Sequence, residues 1–144
     1  MQKIIIGCGQ LGSALRINLN TNEDVIEDNE NNKIYLVNKL KCDVTKKWQV
    51  KKILNKYGYC DQVINCTACT HVDSSEEGQH YALLVNALGP KYIAENVARQ
   101  GGTMLHVSTD YVFSGTDHTP RKETDPVCPI NAYGRTKWAG EVFV

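Results

Sequence analysis

A glycine-rich turn near the N-terminus constrains what this chain can fold into more than any other feature. The β-branched run Lys3–Ile6 is typical of a buried strand. It leads into Gly7–Gly12, whose pattern is G-x-G-x-x-G, and apolar residues at helical spacing follow over Leu11–Leu19. Between a strand and a helix, this pattern is typical of a turn that holds the pyrophosphate of a dinucleotide. The alternative is a simple strand-to-helix turn without a ligand.

Each glycine of the turn has a separate physical role in this interpretation. The first glycine allows the tight turn, the second lets the backbone approach the pyrophosphate, and the third permits close packing of helix on strand. The helix N-terminus then offers N–H groups and partial positive charge to the phosphates. The residues predicted to bind the phosphates are Gly7, Gly9, Gln10, Leu11 and Gly12.

Short apolar runs alternate with amphipathic segments along the rest of the chain. Further strands are predicted at Ile34–Val37, Gln62–Cys66 and Thr103–Ser108, and helices at 48–57, at Tyr81–Arg99 with a bend at Pro90, and within Ile130–Val144. The polar segment Thr21–Lys33 is predicted to be a solvated loop. The alternation predicts an α/β fold: a Rossmann-like, doubly wound parallel sheet with helices on both faces, in one domain spanning residues 1–144.

The composition excludes several classes of protein. Sixteen Lys and Arg balance sixteen Asp and Glu, so we expect neither a nucleic-acid partner nor a membrane surface. The N-terminal segment lacks the features of a signal peptide, which predicts a cytoplasmic location. The six cysteines are therefore expected to be free thiols. Cys66 and Cys69 form a C-x-x-C with His71 nearby, but no second ligand pair follows, so no metal is expected.

The C-terminal end predicts that the fold is incomplete by itself. The chain stops at Glu141–Val144, which is apolar and lies within a predicted helix. Four predicted strands are two fewer than a complete doubly wound sheet of six, and the fourth would expose an apolar edge. We therefore expect the first half of a larger protein, or a subunit that completes its sheet with a second copy or another partner chain.

The end of the second predicted strand bears on the choice of cofactor. An acidic residue at this position favours NAD, because it binds the 2′-hydroxyl of the ribose. This chain has Asn38 and Lys39 instead, which favours NADP(H) or the use of both NADP(H) and NAD(H). Asp43 is placed to meet the adenine or ribose edge. The alternatives are a solvated surface lysine for Lys39 and a capping or turn role for Asp43.

A second group of residues near the C-terminus suggests acid–base chemistry at a carbonyl or alcohol. Tyr133 and Lys137 are four residues apart, so they share one face of a helix. A nearby ammonium favours the phenolate and tunes a tyrosine for proton transfer. Upstream, the predicted strand ends in Ser108 and Thr109, whose hydroxyls could donate a hydrogen bond to a substrate oxygen at the carboxyl edge of the sheet.

Taken together, the motifs resemble those of the dTDP-4-dehydrorhamnose reductase family, within the extended short-chain dehydrogenases/reductases. The matching stretches are Gly9–Gly12, Val63–Asn65, Thr70–Asp73, Val85-Asn86, Ser108–Phe113 with Gly115, and Pro129–Lys137 with Gly140-Glu141. The resemblance covers essentially the whole chain. It implies hydride transfer from NAD(P)H to C4 of a dTDP-4-keto-6-deoxy sugar, which makes that nucleotide sugar the expected substrate.

The resemblance also implies roles for individual residues. Tyr133 protonates the forming alkoxide, Lys137 tunes the tyrosine and holds the nicotinamide ribose, and Thr109 is the catalytic hydroxyl. The further residues expected to bind the cofactor are Asn38, Lys39, Asp43, Val44, Ala68, Thr70 and Asn86, and those expected to bind the sugar substrate are Val72, Asp73, Ser108 and Tyr111.

Two departures from the family pattern keep other functions open. The family has G-x-x-G-x-x-G where this chain has G-x-G-x-x-G, and its members are about twice as long. Without the second half, little of the sugar pocket is present. The alternatives are a nucleotide-sugar epimerase or dehydratase of the same superfamily, and a non-catalytic module like the regulatory subunit of methionine adenosyltransferase.

Overall fold

A five-stranded mixed sheet forms the centre of the molecule. The computed structural model describes residues 1–18, 25–27, 32–116 and 119–144. Its strands are β1 (Gln2–Ile6), β2 (Val25–Glu27), β3 (Lys33–Val37), β4 (Gln62–Asn65) and β5 (Thr103–His106), in the spatial order β2-β3-β1-β4-β5. Strands β3, β1, β4 and β5 are parallel, and β2 pairs antiparallel with β3. The predicted Rossmann-like α/β fold is confirmed.

In the part of the chain that the structure describes, six α-helices connect or follow these strands. They are α1 (Gln10–Asn18), α2 (Lys47–Tyr57), α3 (Val72–Glu77), α4 (Gln79–Leu83), α5 (Gly89–Gln100) and α6 (Ala132–Val142). The β1–β3 connection runs toward one edge of the sheet, and the β3–β4 and β4–β5 connections run toward the other. Because such crossovers are right-handed, α1 lies on the opposite face from α2 and α5. Helices α2 and α5 pack against each other over the buried side chains of the parallel strands.

The short strand β2 corrects the prediction that Thr21–Lys33 is a loop. Strand β2 is only three residues long, and its central residue Ile26 pairs with Ile34 of β3. A strand of three residues is too short for an alternating pattern of apolar and polar residues to be recognised among polar neighbours. The sheet is therefore mixed, not wholly parallel, and has five strands, not four. The rest of the predicted loop (21–24 and 28–31) and Leu19 lie outside the described residues.

The predicted helix at Tyr81–Arg99 is a composite of three segments. It begins earlier, with α4, continues through a π-helical turn at Leu84–Leu88, and ends with α5. Pro90 lies in the first turn of α5, where its missing N–H is tolerated. The expected irregularity is therefore present as a π-helical turn just before the proline. Helix α3 was not predicted, because Val72–Glu77 has too few apolar residues to show a helical period.

The carboxyl ends of the four parallel strands all lie at one edge of the sheet. Strand β1 lies between β3 and β4, and the connections after β1 and after β3 run toward opposite edges of the sheet. The carboxyl end of β1 is therefore a topological switch point. Ligands of open α/β sheets bind in the crevice at such a point. In the described parts of the chain, no helix is both long and apolar enough to cross a membrane.

Candidate functional site

Two adjoining cavities form a cleft at the carboxyl edge of the sheet. The first has a volume of about 260 Å³ and the second about 440 Å³. Both are lined by Gly9, Cys66, Thr67 and Ala68. The first cavity extends toward the end of β3, and the second extends toward the end of β5 and α6. We call the first the glycine-turn cavity and the second the α6 cavity.

The glycine turn is packed so closely that two of its glycines cannot carry a side chain. Gly7 has a φ of +99°, and a Cβ there would lie 2.8 Å from the backbone of Cys66 and Thr67. A Cβ on Gly12 would lie 1.8 Å from the carbonyl oxygen of Gly7. Gly9, in contrast, has no atom within 4 Å of its Cβ position and faces the cleft.

This packing fits the pyrophosphate of a dinucleotide. The bare backbone at Gly9 leaves a space that a side chain would fill. Helix α1 begins at Gln10, so the N–H groups of its first turn point toward the cleft and lack intrahelical partners. Gly9, Gln10 and Leu11 line the α6 cavity, whereas Gly12 is buried beneath the turn.

Lys39 and Asp43 lie at the opposite end of the glycine-turn cavity. Lys39 is exposed, and its Nζ donates a hydrogen bond to the Tyr81 hydroxyl at 3.1 Å, which raises the pKa of the lysine. Asp43 Oδ1 accepts hydrogen bonds from the Thr45 backbone N–H at 3.0 Å and from the Thr45 hydroxyl at 2.8 Å. Partial burial opposes ionisation of Asp43, but these bonds and nearby lysines lower its pKa. Lys39, Asp43 and Val44 all line this cavity, whereas Asn38 uses its Oδ1 to accept from the Lys41 N–H.

The loop after β4 forms the wall between the two cavities. Asn65 is fully buried, and its Oδ1 accepts from the Thr67 N–H at 3.1 Å and from the Thr67 hydroxyl at 2.7 Å. Its Nδ2 therefore faces His106 Nδ1, 3.0 Å away, so this histidine nitrogen is the acceptor and the ring is neutral. Burial, together with the charge of Lys137, lowers the pKa of His106 to about 4.

Asn86 lies beneath this loop and does not face the cleft. It is fully buried, and its Oδ1 accepts from the Cys69 N–H at 2.7 Å. Its Nδ2 donates to the Cys69 carbonyl and to the Thr136 hydroxyl, each at 3.1 Å. Both polar atoms of its side-chain amide are bonded to protein groups. Asn86 therefore supports the loop and does not lie among the other residues expected to bind the cofactor.

Lys137 and Tyr133 line the α6 cavity from the same face of α6. Lys137 is only 1% exposed, and its Nζ donates a hydrogen bond of 2.6 Å to the Val107 carbonyl at the end of β5. Burial lowers the pKa of Lys137 to about 8, against the opposing effect of Glu141. The Tyr133 ring is buried and meets Tyr111 edge to face, with the ring centroids 5.5 Å apart.

Both candidate hydroxyls at the end of β5 already donate to protein carboxylates. The Ser108 hydroxyl donates to Glu141 Oε1, and Ser108 lines the α6 cavity. The Thr109 hydroxyl donates to Asp110 Oδ1 at 3.2 Å and accepts from the Tyr111 N–H at 3.3 Å. The expected donation from either hydroxyl to a substrate oxygen therefore requires that one of these bonds be exchanged.

The residues predicted to contact the sugar do not share one cavity. Ser108 lines the α6 cavity, as does Thr70 of the expected cofactor site, whereas Val72 and Asp73 form the first turn of α3 just beyond it. Tyr111 lines a separate cavity of about 370 Å³. The roles of these residues stay predictions.

Sequence reasoning missed several residues that line the cleft. Cys66 and Thr67 border both cavities, and Tyr81 pairs with Lys39. Cys8, Cys42 and Cys66 line the glycine-turn cavity, and all six cysteines have free thiols. Burial raises the pKa of Cys42 to about 11. The position of Thr67 two residues after a strand was a usable signal, whereas no local pattern points to Tyr81.

The strand order, the glycine turn and the Tyr–Lys pair define the class of this protein. It is a Rossmann-like α/β domain whose cleft lies at the carboxyl edge of the sheet. The sequence also matches the family model described as RmlD substrate binding domain over residues 1–144, so the chain belongs to this family.

Named relatives in this family are reductases of a nucleotide sugar. The chain is 42% identical to dTDP-4-dehydrorhamnose reductase of Mycolicibacterium smegmatis over 104 residues, which are 72% of this chain and 31% of that sequence. It superposes on the Clostridium acetobutylicum dTDP-4-dehydrorhamnose reductase with a TM-score of 0.87 and 36% identity, covering 99% of this chain and 48% of the other.

A third relative carries a bound cofactor. The Bacillus anthracis dTDP-4-dehydrorhamnose reductase, solved in complex with NADP, also gives a TM-score of 0.87, with 34% identity and the same coverage of 99% and 48%. The chain thus spans about half the length of the solved proteins it matches. Their activity resides in chains twice as long.

Proposed function

We propose that this chain is the cofactor-binding and catalytic part of an NAD(P)H-dependent reductase. Its substrate is a dTDP-4-dehydro-6-deoxy sugar, and the reaction converts the C4 ketone to an alcohol, as in the formation of dTDP-L-rhamnose from dTDP-4-dehydrorhamnose. We assign this substrate because the relatives are dTDP-4-dehydrorhamnose reductases and because the motifs of the chain resemble those of that family. We expect the protein to act in the cytoplasm.

The observation that carries the proposal is the position of Lys137 and Tyr133 beside the glycine turn. Both side chains line the α6 cavity, and that cavity shares Gly9 with the glycine-turn cavity. A dinucleotide with its pyrophosphate at Gly9 would reach into both cavities. Its adenosine half would lie toward Lys39 and Asp43, and its nicotinamide half toward α6.

The proton needed at the substrate oxygen comes from Tyr133 in this mechanism. When bound, the reduced nicotinamide supplies the hydride that adds to C4 of the sugar. The C4 oxygen gains negative charge as the C=O double bond is lost, and the Tyr133 hydroxyl gives it a proton. The Lys137 ammonium, held by the Val107 carbonyl, would stabilise the negative charge left on the phenol oxygen and would help hold the nicotinamide ribose.

Thr109 is the third member of the proposed catalytic group. Its hydroxyl is held at the end of β5 by Asp110 and by the Tyr111 N–H. It would release Asp110 to donate to the same substrate oxygen. Two donors on one developing oxyanion stabilise it more than one.

The lack of a carboxylate after β3 supports NADP(H) as the cofactor, with NAD(H) also accepted. Lys39 lies at the edge of the glycine-turn cavity, where its ammonium could pair with a 2′-phosphate. An acidic residue there would repel that phosphate. The NADP complex of the Bacillus anthracis relative agrees with this choice.

The first experiment is a fluorescence titration of NADPH, and of NADH beside it, into the 144-residue chain. Saturable binding, tighter for NADPH, is the expected result. The matched control is Gly9→Val, which fills the open space over the turn while leaving the core untouched. If the folded, monodisperse wild-type chain bound neither nucleotide, the proposal would fail for this chain and a non-catalytic interaction module would be favoured.

A further inference from the structure

Glu141 continues the line of functional side chains along α6. Tyr133, Lys137 and Glu141 are spaced by four residues, so a phenol, an ammonium and a carboxylate follow one another on one face of the helix. Glu141 lies one residue before the end of this helix and is partly buried. The mechanism proposed above uses the first two of these groups and not the third.

Lys137 and Glu141 form hydrogen bonds with two successive residues that follow β5. The Lys137 Nζ donates to the Val107 carbonyl, and the Ser108 hydroxyl donates to Glu141 Oε1. These two bonds join α6 to the strand end that carries the candidate hydroxyls. The carboxylate therefore has a defined place beside the catalytic face, unlike a solvated surface glutamate.

Because Lys137 is buried, the negative charge of Glu141 is important for keeping the lysine ionised. Lys137 is almost completely buried, which disfavours the ammonium, and the charge of Glu141 acts in the opposite direction. From β5, His106 faces Lys137, but it is neutral at pH 7 because its pKa is lowered to about 4.

Within the described residues, Cys66 and His71 also line the α6 cavity, and the other titratable residues in contact with α6 lie toward its two ends. Glu76 of α3 accepts from the Ala132 N–H at the beginning of the helix, and Tyr111 meets the Tyr133 ring. Lys91 of α5 lies over the ring of Phe143, just past the end of α6. Glu141 is thus the carboxylate with a direct electrostatic effect on Lys137.

We propose that Glu141 is a positioning residue that supplies the compensating charge for buried Lys137 and holds Ser108 against α6. In doing so it keeps the ammonium present at the α6 cavity at neutral pH. The importance of that ammonium for cofactor binding and proton transfer rests on the proposed function. The charge relation between Glu141 and Lys137 does not.

An NMR titration of the full chain with ¹³C- and ¹⁵N-labelled lysine tests the charge relation directly. The Lys137 signal is assigned by its loss in Lys137→Met. In Glu141→Gln, which keeps an acceptor for Ser108 but removes the charge, we expect the Lys137 midpoint to fall by about one pH unit. Glu141→Asp keeps the charge on a shorter side chain, so it should restore most of the midpoint.

Two further variants separate charge from hydrogen bonding and from general effects on the helix. Ser108→Ala removes the hydrogen bond but keeps the carboxylate, so the Lys137 midpoint should stay within about 0.2 units of wild type, since the nearby charge is unchanged. Glu76→Gln removes an equal charge at the other end of α6 and should also leave the midpoint in place. Circular dichroism checks that each variant is folded.

The same variants are then titrated with NADPH between pH 6 and pH 9. We expect affinity to fall with rising pH at a midpoint that moves down in Glu141→Gln together with the Lys137 signal. An unchanged Lys137 midpoint in folded Glu141→Gln would overturn the inference. If the midpoint moved but no variant bound NADPH, the charge relation would stand and the proposed function would fail.

Discussion

The glycine turn and helix α6 face the same cleft, but different kinds of contact hold them in place. The turn is made of backbone in direct contact with backbone: Gly12 against Gly7, and Gly7 against the loop after β4. Helix α6 is held by polar side chains that reach distant parts of the chain. Lys137 bonds to Val107, and Thr136 bonds to Asn86, which is 50 residues away in sequence.

This difference indicates how each side of the cleft responds to change. At Gly7 and Gly12 the nearest atoms belong to backbone that cannot rearrange, so a methyl group added at either position has no space, and the effect is steric. Helix α6 depends on desolvated polar groups, so its responses are electrostatic and vary with pH.

Tyr133→Phe is expected to have the largest effect, and only on the chemical step. In a full-length protein that contains this segment, loss of the proton donor should lower turnover at least about 100-fold. The ring keeps its edge-to-face contact with Tyr111, so the fold and NADPH affinity should be unchanged. Steady-state kinetics and NADPH titration measure the two quantities. Turnover within a few fold of wild type would show that Tyr133 is not the general acid.

Gly12→Ala and Gly9→Ala form a matched pair that tests the steric side of the comparison. The first places a methyl group 1.8 Å from the Gly7 carbonyl oxygen, which the buried turn cannot relieve. We expect a loss of about 3 kcal/mol in the free energy of unfolding and no NADPH binding.

Gly9→Ala projects its methyl group into open space, so the unfolding free energy should change by less than about 1 kcal/mol. NADPH affinity should still fall, because the methyl group occupies the space that the pyrophosphate needs. Urea denaturation and fluorescence titration measure both variants. Equal stability of the two variants would contradict the close packing at Gly12.

Lys137→Met tests the electrostatic side through the pH dependence of stability. The folded pKa of Lys137 is about 8, below its ordinary value of 10.5. Between these values the unfolded chain binds more protons, so this lysine makes the wild-type protein more stable as the pH rises through that window. Below pH 8, burial of the ammonium opposes folding.

The difference in unfolding free energy between wild type and Lys137→Met isolates this contribution, because the other titratable groups are the same in both proteins. We expect the unfolding free energy of wild type, relative to that of Lys137→Met, to rise by up to about 3 kcal/mol between pH 8 and pH 10.5. Urea denaturation at four or five pH values measures it. A difference that is flat with pH would mean that Lys137 is not desolvated in the folded protein.

Lys39→Met is expected to have the smallest effect, confined to cofactor choice. Lys39 is exposed, so stability should not change measurably. Loss of one charged contact to a 2′-phosphate should weaken NADPH binding about tenfold and leave NADH binding within about twofold. Lys51→Met, on the exposed surface of α2, is the control. An equal loss for both nucleotides would place Lys39 away from the 2′ position.

The parts of the fold that repeat a local pattern could be predicted from the sequence. Four strands, the glycine turn and helices α2 and α6 follow from apolar spacing and glycine placement. Strand β2 could not be predicted, because three residues at an edge are selected by pairing with β3 and not by their own pattern. Pro90 predicted an irregular helix, but its local sequence did not predict a π-helical turn at Leu84–Leu88.

The candidate site divides in the same way. Tyr133 and Lys137 were predictable as a pair because helical spacing alone puts them on one face. That both Ser108 and Thr109 donate to carboxylates was not predictable, since the partner of Ser108 is 33 residues away. Asn86 was expected to face the cofactor, but it is enclosed by Cys69 and Thr136.

The strand–turn–helix unit, the order of elements and the chemical groups available for catalysis follow from the amino-acid sequence alone. These depend on sterics and periodicity over a few neighbouring residues, which the chain carries locally. The desolvation of Lys137, the neutral state of His106 and the effect of the Glu141 charge on Lys137 depend on the tertiary structure. Burial and charge at these positions arise when β5 and α6 come together, and no local pattern contains that contact.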